Sequence, residues 1–439
     1  MNTLSSTALE QRFPSRPRML VSTGVIEVVY VVLLLFAFVG FDILASRDPI
    51  SVSGGAANLN GGGDVFRQLC YIVTFGILAV AAIERRGFGI FSIVPLSLLA
   101  LLVWCAASSI WAPDMNVAFR RAVLAAIVVF STMASIELLG ATRAIRLWRN
   151  LFILILIANW ISIFVLTSAI HQANELDQSL VGDWRGLFFQ KNIAGAWAAL
   201  AALLFFHYAL EEGRKIDWIY CVASVGFLIG TGSKSSIAML PLALLCGLAY
   251  RWGLASGRNR ALLTSIGALL AVSIALAASL NAGALTDMFS DPASFTGRAE
   301  IWRAELDYIS HHPLLGAGFG SFADTGARSP LYPYIHNTWL TAVAHGHNGY
   351  LQTLVTIGLI GFALTMLSLI LMPGISFLRK DSVPAGSKAL FFSIFVFTIL
   401  HNFLESDFLE GGGVAWVAFL MVLALLRTSK ADAGHCRAP

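Results

Sequence analysis

Apolar residues in this 439-residue chain come in near-continuous runs broken by short charged punctuation, with neither strand alternation nor a narrow helical stripe. A helix crossing a bilayer needs about 20 mostly apolar residues, and one that is apolar all round is surrounded by lipid or by other helices. Twelve runs fit that description: 19–45, 68–83, 88–110, 117–139, 151–170, 193–210, 218–232, 236–250, 261–280, 347–372, 389–404 and 412–426. The pattern predicts an all-α polytopic membrane protein with about 12 transmembrane helices. The first run is too long for a signal-peptide core and carries no cleavage pattern, so it reads as a retained signal anchor.

Charge sharpens this picture. Charged residues make up 12% of the chain, about half the share of a soluble domain, which excludes an ordinary cytosolic enzyme. The net charge of +4 is small, and its arrangement follows the spans, so nucleic-acid binding has no support. Of the 29 Lys and Arg, 19 fall on the termini and alternate connections, including Arg85, Arg86, Arg143, Arg146, Arg149, Arg214 and Arg251. By the positive-inside rule both termini are expected on the cytoplasmic side of the membrane. Four cysteines lie in apolar runs and Cys436 in the tail, without a CxxC pair, so neither a zinc site nor a disulfide framework is indicated.

One connection stands apart. Residues 281–346 form a long loop on the opposite side, dividing the chain into a nine-span region (1–280), the loop, and a three-span region (347–439). Within the loop, residues 297–312 predict a helix with Thr296 as N-cap and Pro313 ending it. Arg298, Trp302, Leu306 and Ile309 share one face, suiting a helix that lies in the membrane interface.

The basic residues that topology does not explain are the first candidates for chemistry. Arg185, Lys191, Lys234 and Arg298 each sit at a membrane boundary on the loop side. Such cations suit a lipid-linked pyrophosphate; they equally suit snorkelling to ordinary headgroups, and the sequence leaves both readings open. Histidine is the second candidate, with His311, His312, His336, His345 and His347 in and after the loop. His347 opens the tenth span and can serve as a general base, whereas His336 and His345 read as solvated loop residues. A zinc site through His345 and His347 lacks a third ligand at any recognisable spacing, so no metal is expected. His401 and Glu405 lie one helical turn apart after the eleventh span, either orienting other groups or closing an interhelical bond. Glu175 and Asp177 read as solvated loop, and Gly316, Gly318 and Gly320 as a turn after Pro313.

Together TGRAEIWRAELDYISHHPLLGAGFGSF, HNGYLQTLVTIGLIG, WRGLFFQKNIAGAW, GTGSKSS and WCAASSIWAPDMNVAFRRA resemble one superfamily, the bacterial O-antigen ligases and Wzy-type polysaccharide polymerases, including ExoQ-like exopolysaccharide polymerases. The resemblance implies a GT-C-like membrane glycosyltransferase of the bacterial inner membrane, with its active site on the periplasmic face. It would take an undecaprenyl-pyrophosphate-linked glycan donor and a glycan acceptor, with no cofactor and with a chain-length regulator as a candidate partner. His347 matches the family's general base and Asn348 its neighbour. Arg298 matches the arginine of the GR-x-x-x-W element that Trp302 completes, and Arg185 the arginine before the stretch containing Asn192. Lys234 stands where relatives often have arginine, keeping the charge without the bidentate fork. Arg185, Lys234 and Arg298 are then expected on the pyrophosphate, with His401 and Glu405 in support.

Polymerisation of lipid-linked repeats by an inverting, metal-independent transfer is the expected reaction. Ligation of the glycan to lipid A core is the alternative, and protein O-glycosylation would differ only in acceptor. A secondary transporter would also have twelve spans, but it would show two related halves and a midplane site, and neither is visible here.

Overall fold

The computed structural model describes residues 20–40, 65–173, 178–263, 265, 269, 298–323, 325, 328–334, 346–379 and 383–435. Among them the architecture is helical: α1 (Thr23–Phe38), α2 (Val65–Arg86), α3 (Leu96–Ala107), α4 (Met115–Leu139), α5 (Ala141–Val165), α6 (Lys191–Glu212), α7 (Lys215–Gly230), α8 (Lys234–Ala255), α9 (Arg298–His311), α10 (Gly349–Thr365), α11 (Met372–Leu378), α12 (Ala385–His401) and α13 (Val414–His435). No strand occurs among the described residues; Ile170 and Trp184 form an isolated bridge.

Six helical stretches are long and apolar enough to cross a membrane: Val65–Ser92, Met115–Leu139, Ala141–Val165, Lys191–Glu212, Lys234–Leu254 and Gly349–Leu378. Shorter apolar helices occupy Thr23–Phe38, Leu96–Trp111, Ala385–His401 and Val414–Thr428. The fold is that of a polytopic membrane protein. The ninth run, 261–280, falls almost entirely outside the described residues, as do Thr296, His336, His345, Glu175, Asp177 and Cys436.

α6 and α13 form the centre. Residues 194–205 of α6 and 414–426 of α13 are buried throughout, as befits helices enclosed by other helices. In α6 much of that stretch is alanine, and small side chains let neighbouring backbones approach closely. The outer helices show the converse: Leu69, Ile72 and Val73 on α2 and Leu242 and Leu245 on α8 are exposed, an apolar surface suited to lipid.

Boundaries differ from expectation where polar residues lie on buried helix. The run 151–170 is the second part of a helix that already begins at Ala141, because Arg149 is neutralised inside the bundle by Asp217 of α7. The tenth span is broken at Gly358, whose φ of 67° is left-handed. There the loop after α9 lies against the helix, with Leu359 N donating to Pro313 O (2.8 Å), Ala317 N to Val355 O (2.9 Å) and Gly318 N to Thr356 O (2.8 Å). Backbone groups freed by the break are thus bonded by the loop, as a non-helical segment at membrane depth requires. Trp104 Nε1 donates to Ile357 O (3.0 Å) and Phe319 N to Ser108 Oγ (2.9 Å), so WCAASSIW clamps the same crossing. Gly316, Gly318 and Gly320 all have positive φ in this loop, which agrees with their reading as a turn.

The helix expected over 297–312 is α9, but its buried face is rotated. Arg298, Trp302, Glu305 and Tyr308 point into the protein, while Leu306 is 54% exposed. The proposed Arg298–Trp302–Leu306–Ile309 stripe is corrected accordingly, since α9 is docked by hydrogen bonds and aromatic packing that hydrophobicity alone does not register.

Candidate active site

Helices α6, α8, α10 and α13 begin, and α12 ends, at one end of the bundle, and the site is built from those termini and the turn after α12. Asn402 organises this turn. Its Oδ1 accepts from Asp407 N and Phe408 N, both at 3.0 Å, and its Nδ2 donates to Thr398 O at 2.7 Å. His401 Nδ1 bonds Asp407 Oδ2 (2.8 Å), and its Nε2 meets Ser236 Oγ of α8 (3.2 Å). The chain therefore folds back on itself and presents Glu405 at the tip.

Glu405 is the hub. Its Oε1 accepts from Arg298 Nη2 (2.8 Å), Asn192 Nδ2 at the start of α6 (3.0 Å) and Ser235 Oγ at the start of α8 (3.4 Å). Its Oε2 bonds His347 Nδ1 (3.0 Å). Arg298 Nη1 also donates to Leu404 O. Burial acts to raise the Glu405 pKa, but the His347 hydrogen bond and the charges of His347, Arg298 and His401 outweigh it and hold the carboxyl at about 2. An ionised carboxylate can only accept, so the bond places a proton on His347 Nδ1. In the neutral ring, Nε2 then carries the lone pair.

The backbone at His347 has φ 49°, an uncommon conformation for a residue with a side chain, costing about 1–3 kcal/mol. Its neighbours hold it there. Gly346 O accepts from Trp302 Nε1 (2.8 Å) and Gly346 N donates to Gln352 Oε1 (3.1 Å). Asn348 caps α10, its side chain accepting from Tyr350 N (3.0 Å) and Leu351 N (3.1 Å), while its own N donates to Ser406 Oγ (3.1 Å). Gly349 N donates to Asn402 O (2.8 Å) and Glu405 O (2.9 Å). Gly349 thereby ties the His347 turn to the Glu405 turn.

The structure thus brings together His347, Arg298, Trp302, Asn348, Asn192, His401 and Glu405. Lys234 is different: it is exposed at the first residue of α8, and only its neighbours Ser235 and Ser236 reach the network. Arg185 is buried in the folded loop between α5 and α6, where its Nε donates to Ser168 O (2.8 Å) and its N to Ala169 O (2.8 Å). Lys191 is paired with Asp183 at 2.6 Å. Sequence reading passed over Ser235, Ser236 and Asp407. It also passed over Glu305, which is buried against Gly346 with Oε2 unpartnered and its carboxyl pushed up to about 8 by burial. Its position one turn beyond Trp302 was the available signal.

Chemically, the cluster offers an oriented imidazole beside a guanidinium, both fixed by one carboxylate. Residues 219–366, which contain Lys234, Arg298, Trp302, His347 and Asn348, match the family model described as O-Antigen ligase (Wzy_C). The similarity is to the O-antigen ligase and ExoQ-like family. The chain also resembles the exopolysaccharide production protein ExoQ of Rhizobium meliloti (strain 1021), with 24% identity over 243 residues, 51% of this chain and 54% of that protein. It therefore matches about half the length of that relative. Glu405, His401 and Asn192 lie outside the matched family region, so their link to His347 and Arg298 is a finding of the tertiary structure.

Proposed function

We propose that this protein polymerises undecaprenyl-pyrophosphate-linked oligosaccharide repeats at the periplasmic face of the bacterial inner membrane, by an inverting, GT-C-like and metal-independent glycosyl transfer. The observation that carries this reading is the shared carboxylate: His347 on one oxygen of Glu405 and Arg298 on the other. The acceptor hydroxyl attacks the anomeric carbon and its proton passes to His347 Nε2. The anomeric C–O bond breaks with its electron pair going to the pyrophosphate, where Arg298 offsets the growing charge. Two of the five N–H groups of Arg298 are used on Leu404 O and Glu405, leaving others for phosphate oxygens. On the family resemblance alone, Arg185 in its own loop is assigned the second phosphate contact, and Lys234, exposed beside Ser235, a point charge at the rim. The basic ends of α2, α5 and α8 lie at the opposite end of the bundle, which supports the cytoplasmic assignment of that end.

Ligation of a finished glycan to lipid A core is the second reading, favoured by the description of the matching family. A His347→Ala strain separates the two. Loss of chain length with a single repeat still on its normal acceptor supports a polymerase; loss of all polysaccharide from lipid A supports a ligase. Unchanged product with His347→Ala, alongside abolished product with Arg298→Ala, overturns the assignment of the base.

A further inference from the structure

At the end of the bundle away from His347, a cavity of about 360 Å³ opens where α5 begins and α6 gives way to α7. Its wall is one face of α5, where Thr142, Arg146, Arg149 and Asn150 follow at helical spacing. Tyr208 and Glu212 of α6 and Arg214, the N-cap of α7, complete the lining. From Lys191, which precedes Asn192 of the candidate active site, to Glu212 here, α6 has 22 residues. At about 1.5 Å per residue the two places are about 33 Å apart, the thickness of a hydrocarbon core.

The charges do not balance. Arg149 is held by buried Asp217 and lies over the Tyr208 ring, 5.2 Å from its centroid, with its Nε buried and unpartnered. Arg214 pairs with Glu212 at 3.1 Å on the rim, where both are well exposed. Arg146 makes no hydrogen bond or ion pair with the described residues, so three guanidiniums meet two carboxylates and one positive charge is left over. The Thr142 hydroxyl, the Asn150 amide and the Tyr208 hydroxyl add neutral hydrogen-bonding groups around it. Basic pockets between transmembrane helices at this level suit phosphorylated headgroups.

We propose that this cavity is a phosphoryl-anion site occupied by the headgroup of an anionic lipid of the leaflet opposite the candidate active site. A phosphodiester carries the single negative charge that the lining lacks. The Arg146 guanidinium is its main contact, with Thr142 and Asn150 alongside.

The test uses the full chain in a neutral detergent and follows its thermal unfolding midpoint during titration with phosphatidylglycerol, phosphatidylcholine or inorganic phosphate. Phosphatidylglycerol should raise the midpoint where phosphatidylcholine does not, and Arg146→Glu should weaken this response about tenfold or more. Arg258→Glu is the control, because it reverses a charge at the same end of the bundle outside the cavity. It should change the response less than about twofold, the expectation for a charge remote from the bound headgroup. Arg146→Gln, which keeps hydrogen bonding without charge, serves if the reversal does not fold, and should also weaken the response. Equal loss in the Arg146 and Arg258 variants overturns the site in favour of diffuse surface charge. Equal protection by inorganic phosphate keeps the anion site but overturns the lipid as its occupant.

Discussion

Replacing Glu405 with glutamine changes one atom and reverses one hydrogen-bonding role. The carboxylate accepts from four side chains, Arg298, Asn192 and Ser235 on Oε1 and His347 on Oε2. Glutamine keeps one acceptor oxygen, and with three donors on the Oε1 side its amide NH2 is directed at His347 Nδ1. That nitrogen must then accept, so the ring proton moves to Nε2, where the acceptor hydroxyl would have delivered its own. The loss expected is that of a general base, about 10²–10⁴-fold in kcat. KM should change less, because the remaining Arg298 donors stay free for the donor pyrophosphate. Stability responds as well. The Glu405 carboxyl lies at about 2 against an ordinary 4.5, so its ionised form contributes about 3 kcal/mol to folding. In the native protein this contribution is complete above pH 4.5 and lost as pH falls towards 2; in Glu405→Gln it is absent throughout. The assay is single-turnover transfer from a lipid-linked repeat by the purified full chain, with product length resolved on gels and unfolding midpoints followed from pH 7 to pH 3. A variant retaining more than about a tenth of the native rate would show that His347 does not depend on this carboxylate for its tautomer.

Three further perturbations probe the neighbouring groups. Arg298→Lys keeps the charge but cannot reach Leu404 O, Glu405 and a phosphate together, so transfer should fall by about 10-fold or more while the fold persists; near-native kinetics would remove Arg298 from the reaction. Glu305 has a folded pKa of about 8 against 4.5, so native stability declines as pH rises from 4.5 to 8. Glu305→Gln should make that decline shallower and be the more stable protein at pH 8, whereas parallel pH profiles of midpoint would refute its burial as a neutral acid. At Gly358 an added Cβ would meet Leu314 O at 2.1 Å on a left-handed backbone. Gly358→Ala should therefore destabilise the protein by several kcal/mol, and a midpoint unchanged from the native one would mean that the loop crossing is not fixed.

Much of the membrane fold was legible in the sequence, because a bilayer imposes length and apolarity on each segment separately. The runs 117–139 and 193–210 reappear as α4 and α6 almost unaltered. Helix α9 was legible from its composition and from Pro313, but its rotation was not: Trp302 docks through a hydrogen bond to Gly346 and Glu305 packs beside it, leaving Leu306 outside. His347, Arg298 and Asn348 stood out because their motifs are local.

By itself, then, the sequence determined the helical, membrane-suited character of the chain, the segregation of basic residues and the main candidates for chemistry, all of which depend on short stretches of chain. Only the tertiary structure decided that Glu405 joins them. That carboxylate lies 58 residues from His347, 107 from Arg298 and 213 from Asn192, so no periodicity could connect them. From the sequence, His401 and Glu405 one turn apart read either as orienting other groups or as a packing bond. The role of Glu405 follows from the turn organised by Asn402, which aims it at the point where the starts of α6, α8, α9 and α10 converge, and from burial there, which requires each polar group to find a partner.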